Sequence, residues 1–132
     1  MMQFLLVAAG GAMGAVARYS LGLTVGRVAS GAAWPWGTFL ANTSGGLLMG
    51  LLAGWLALKG GAGHENVRLF AAVGVLGGFT TFSAFSLETA LLLERRELAT
   101  AFLYAVGSVV LAIAALFVGL MIARKLFTGV GA

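Results

Sequence analysis

Long apolar stretches alternate with short polar breaks along the whole of this chain. Apolar runs of about 20 residues are long enough to cross a bilayer as helices. Four such runs fit, at about 4–26, 34–58, 69–93 and 98–123. The longest polar connection, Lys59 to Arg68, holds only GGAGHENV, so residues 1–132 read as one transmembrane unit with no soluble domain. The first run has no basic leading segment and stays apolar past Arg18 to Gly26, which predicts a retained helix rather than a signal peptide. Trp34, Pro35 and Trp36 open the second span, because tryptophan prefers the headgroup level and proline suits a first helical turn.

Composition then fixes the class. The chain is 61% hydrophobic and 9% charged, with a mean hydropathy of +1.03, whereas soluble domains carry about 25% charged residues. The fold class is therefore an all-α integral membrane protein. The absence of cysteine excludes disulfides, iron–sulfur clusters and thiol catalysis, and one histidine with four acids leaves little for acid–base work, so no enzyme is expected. The net charge of +4 is scattered near the ends of the apolar runs, which suits lipid headgroups and not nucleic acid.

Charge also bears on topology. Four spans place Lys59, Arg68, Arg124 and Lys125 on one side, and Arg27, Arg95 and Arg96 on the other, with Arg18 added if it reaches that side. So even a distribution sets no orientation. Either other determinants decide, or the protein inserts both ways, and in the second case an antiparallel homodimer is the natural closed assembly. Two glycine ladders, Gly10, Gly14, Gly22 and Gly26 in register with Arg18, and Asn42, Gly46, Gly50 and Gly54, predict close helix packing.

The polar groups inside the spans need reasons. A buried amide without partners costs several kcal/mol, so Asn42 either bonds a neighbouring helix or lines a wet path. Arg18 either snorkels to the interface or acts as a vestibule cation that concentrates anions. The third span is the densest in such groups. Phe79, Phe82 and Phe85 form one stripe there and Thr80, Ser83 and Ser86 a second. Packing explains the rings, and hydroxyls can satisfy themselves on carbonyls one turn back. Alternatively, positive ring edges beside hydroxyl donors and an amide suit a small, partly dehydrated anion, with no mid-span cation to trap it. Gly77 and Gly78 followed by Thr80 and Thr81 are where the third helix is expected to open, and unwound carbonyls can hold a cation. Tyr104 and Ser108 on the fourth helix back this region. Glu88 is either a functional group by its place in the span or solvated near the interface, and His64 is read as a solvated loop residue.

Three blocks, GGAMGAVARY, GTFLANTSGGLLMG and GVLGGFTTFSAFSLE, together with the helix count and balanced charge, make the chain resemble the CrcB/Fluc family of fluoride channels over essentially its whole length. The resemblance implies a dual-topology, antiparallel homodimer in a bacterial inner or plasma membrane that passively exports fluoride from the cytoplasm through two pores. It implies a central structural sodium ion on the backbone carbonyls of Gly77 and Thr80. On the pathway the resemblance places Asn42, Phe82, Phe85, Tyr104 and Ser108, and it matches Arg18. With Thr81 and Ser83 from the hydroxyl-rich stretch, these make up the expected anion pathway, with Arg18 and Glu88 at the vestibules. Ala112 stands where the family's fourth-helix track can carry a further hydroxyl. Two other readings compete. A small dual-topology proton-coupled exporter needs a deep carboxylate, which the first helix lacks, and a packing subunit of a larger complex leaves the hydroxyl and phenylalanine stripes unexplained.

Overall fold

The structure is a computed structural model and describes residues 1–129. Among these residues there is no strand. Four helices are long and apolar enough to cross a membrane: Met2–Val28, Trp36–Lys59, Ala62–Glu94 and Leu98–Thr128. The all-α membrane class rests on these four. The second helix starts one residue after its N-cap, Pro35, which has no N–H to leave unpaired.

The third span is assembled from unlike pieces. A 3-10 turn at Ala62–His64 and one α-turn at Glu65–Val67 lead into a π-helical segment, Arg68–Leu76, and a last α-turn, Gly77–Phe79. Thr80 and Thr81 are then extended, at φ/ψ of −84/154° and −152/122°, before the helix resumes over Phe82–Glu94. The sequence pattern did not mark the π segment, which widens the helix to place residues four and five apart on one face.

Glu94 joins the fourth helix through a tight reversal. Arg96 adopts φ 61°, its N–H donates to the Leu93 carbonyl at 3.0 Å, and the Glu97 N–H donates to the Leu92 carbonyl at 3.0 Å. This pair of bonds is a Schellman cap, with arginine at the left-handed position that glycine usually fills.

Backbone contact between helices follows the glycines. The first helix lies on the π segment, where a Cβ on Gly10 would stand 3.0 Å from Gly74 Cα and one on Gly14 would stand 2.7 Å from the Phe79 nitrogen. The second helix lies on the fourth, where a Cβ on Gly46 would come within 2.6 Å of the Ala112 carbonyl oxygen. The rest of the first-helix ladder differs, because a Cβ on Gly22 or Gly26 would meet nothing within 4 Å, and Gly22 is approached only through its Cα, 3.2 Å from where a Cβ on Gly37 would sit. Leu92, Ala101 and Tyr104 form a buried cluster with Trp34, Phe39 and Phe85 around it. Large apolar side chains such as Phe4, Phe102 and Phe117 point outward, as a lipid-facing surface requires.

Candidate functional site

The extended pair in the third span changes where its polar groups go. In a continuous helix the Thr81 N–H would donate to the Gly77 carbonyl. It donates instead to Asn42 Oδ1 at 2.8 Å, and Asn42 Nδ2 donates back to the Thr81 carbonyl at 3.0 Å. One amide from the second helix thus satisfies both backbone groups of Thr81. The Ala84 N–H likewise donates to Thr81 Oγ1 at 3.2 Å, an N-cap, and not to the Thr80 carbonyl one turn back. Thr80 turns its own hydroxyl to the Leu76 carbonyl at 2.9 Å.

The same kink divides the phenylalanine stripe. Phe79, before the extended pair, packs inward, its ring 3.4 Å from where a Cβ on Gly45 would sit. Phe82, after it, is 77% exposed. Phe82 and Phe85 stay together, with ring centroids 5.5 Å apart, and Phe85 continues to Tyr104 at 5.4 Å. A regular helical stripe was expected, and two extended residues rotate the resumed helix out of that register. The hydroxyl stripe divides too. Ser83 Oγ lies 3.2 Å from Thr81 Oγ1, whereas Ser86 bonds back to the Phe82 carbonyl at 2.9 Å.

Asn42, Thr80, Thr81, Phe82, Phe85, Ser108, Val109 and Ala112 line one groove of about 250 Å³. It brings five of the seven expected pathway residues together. Ser83 and Tyr104 are not among its walls. Ser108 Oγ is buried and has no partner, and an amide nitrogen carries two donor hydrogens, so Asn42 keeps one after bonding Thr81. The groove therefore offers the Ser108 hydroxyl and one remaining Asn42 amide hydrogen beside the rings of Phe82 and Phe85. Val109 and Ala112 add apolar wall, Ala112 at the position where a further hydroxyl is absent from the sequence.

A second cavity, of about 450 Å³, lies beyond Tyr104 towards the tryptophan-rich loop and is lined by Arg18, Trp34, Trp36, Thr38 and Glu88 among others. Both charges left undecided by the sequence therefore reach one space. Glu88 is held inside the protein, with Oε1 accepting from Thr38 Oγ1 at 2.7 Å and Oε2 from the Tyr104 hydroxyl at 2.6 Å. Tyr104 is fully buried and reaches from beside the groove to the cavity. Sequence reasoning missed Thr38. Its signal was its place four residues before Asn42, which extends the ladder of Asn42, Gly46, Gly50 and Gly54 by one turn.

With this geometry in hand, the family model described as "CrcB-like protein, Camphor Resistance (CrcB)" matches residues 5–120. The chain belongs to the CrcB/Fluc family. It is similar to the "Fluoride-specific ion channel FluC" of Caulobacter sp. (strain K31), with 60% identity over 97% of this chain and 99% of that one. The protein of the same name from Phenylobacterium zucineum (strain HLK1) is 62% identical over 96% and 99%, and that of Hyphomonas neptunium (strain ATCC 15444) 56% over 94% and 97%. The CrcB/Fluc match spans both the groove and the Glu88 clasp, so each of these features lies within the family's shared length.

Proposed function

We propose that this chain is a fluoride channel, in which fluoride passes through the groove of Asn42, Thr81, Phe82, Phe85 and Ser108. The groove is the observation that carries this reading. It brings hydrogen-bond donors and aromatic rings, whose edges are positive, to a small anion without a lysine or arginine side chain in its lining, a balance that admits an ion and releases it. The chain's membership of the CrcB/Fluc family and the names of its relatives support fluoride as that anion.

The working unit in this reading is an antiparallel, dual-topology homodimer with two pores, set in a bacterial inner or plasma membrane and exporting fluoride from the cytoplasm down its gradient. Phe82 is compatible with a second copy, because it lines the groove and is 77% exposed, so a partner laid against it would close the groove on that side. The even spread of basic residues supports the inverted arrangement.

The two extended threonines act here as a break of the third helix that seats a structural sodium ion. The donor set fits. The Gly77 and Thr80 carbonyls lose their helical donors to Asn42 and to the Thr81 hydroxyl, and oxygen ligands suit a hard cation. Among the described residues no cluster of three His, Cys, Asp or Glu competes for a metal. A bound sodium would supply fixed positive charge between two copies, held on Gly77 and Thr80 of each. The function is tested with fluoride-loaded liposomes carrying the purified protein. Under a potassium–valinomycin clamp, a fluoride electrode is expected to record release, and chloride-loaded vesicles are expected to stay silent. Absence of fluoride release would refute the reading.

A further inference from the structure

Arg18 does not run out to the interface. Its Nε donates to the carbonyl of Gly78 at 3.3 Å, sixty residues away along the chain. Two independent features bring these atoms together. Gly11, Ala15 and Arg18 share one face of the first helix, at intervals of four and three residues. Gly78 lies against that face with no room for a side chain, since a Cβ there would meet the Gly11 carbonyl and stand 3.1 Å from the Ala15 nitrogen.

The Gly78 carbonyl also needs a donor. Its helical partner would be the N–H of Phe82, four residues on, and the extended Thr80 and Thr81 carry that group into the next helix. The carbonyl is therefore one of the orphan acceptors at a helix C-terminus, where a cation is also favoured by the helix dipole. Asn42 approaches the same two-residue kink from the second helix and takes both backbone groups of Thr81. The kink is bracketed, with Arg18 on its leading side and Asn42 on its trailing side.

We propose that Arg18 is a positioning residue whose Nε–H holds the Gly78 carbonyl and so keeps Thr80 and Thr81 extended, in place of serving as a free vestibule charge. Its consequence for transport rests on the channel reading above, in which this kink shapes the groove and the carbonyl seat. Its consequence for the backbone does not.

Two substitutions separate the donor from the charge. Glutamine places an amide N–H the same number of bonds from Cβ as arginine Nε and carries no charge. Lysine keeps the charge but has a methylene at that position. The full-length protein and its Arg18→Gln and Arg18→Lys variants would be compared by amide hydrogen exchange over residues 79–84 and by fluoride release from liposomes. We expect Arg18→Gln to keep the wild-type exchange and to release fluoride within about threefold of wild type, because a neutral hydrogen bond remains. We expect Arg18→Lys to speed exchange and to slow release, each by about tenfold, on loss of a charge-assisted bond. A wild-type-like Arg18→Lys beside a disabled Arg18→Gln would overturn the proposal in favour of charge alone. Equal behaviour of the two variants, intact or disabled, would overturn it as well. If the wild-type protein released no fluoride, the channel reading would fall, and the exchange measurement would still decide the role of Arg18.

Discussion

Asn42 shows how one side chain serves two ends. A polar residue six positions into an apolar helix was visible in the sequence, and so was the need for a partner. The partner itself was not, because it is the backbone of Thr81, thirty-nine residues on, exposed for bonding only once the helix has opened there. The alternatives of interhelical bond and wet path are compatible, since the amide bonds the third span and also lines the groove. Asn42→Ala strands both Thr81 groups, at about 1–3 kcal/mol each, and should lower the unfolding midpoint in detergent. Asn42→Asp keeps the acceptor and loses both donors, so fluoride release from liposomes should fall by about tenfold or more, as expected for loss of a well-placed donor. Glu88 teaches the same lesson. Its place within the span was legible, but the clasp by Thr38 and Tyr104 required the second and fourth helices to be set beside it.

At the scale of elements, span number and approximate position came from hydropathy alone, and the glycine ladders correctly marked the contacts of the second helix with the fourth. Periodicity says which residues share a face, but not what meets that face, so Gly26, whose added Cβ would meet open space, looked identical to the packed Gly10 and Gly14. This difference is measurable. Gly50→Ala would push a Cβ against the Leu116 carbonyl, and overpacking of this kind costs about 1–3 kcal/mol. Gly26→Ala meets open space and should be neutral or gain up to about 1 kcal/mol of helix propensity. Thermal unfolding of the two variants in one detergent would check the contrast, and equal shifts would contradict the packing described. The π segment had no comparable signature, because RLFAAVGVL reads as an apolar run like an α-helical one, and its close contact with the first helix is a tertiary feature. The reversal at residues 94–97 reads in sequence as a plain charged turn. Arginine at a left-handed φ is the unanticipated feature, and Arg96→Gly should stabilise the protein by about 0.5–1 kcal/mol by removing the Cβ clash. An unchanged or lower unfolding midpoint would argue against strain there.

For the molecule as a whole, a single copy gathers the groove residues and leaves Phe82 77% exposed, where the proposed second copy would cover it. The even charge distribution and the open groove are the two features that support the proposed second, inverted copy. Reporters fused to the C-terminus, one active on each side of the membrane, should both give signal, and a single active reporter would remove dual topology. The central claim is that fluoride passes the groove at Phe82, and Phe82→Ile tests it most directly. Isoleucine keeps an apolar side chain of moderate size and removes the ring edge. The decisive measurement is fluoride release from liposomes carrying Phe82→Ile, with wild type in parallel and both proteins shown to elute alike in detergent. Wild type should empty its vesicles, and the variant should release fluoride at least about tenfold more slowly, a loss worth about 1.4 kcal/mol in the barrier. Release by the variant at the wild-type rate would contradict the groove as the path of the anion.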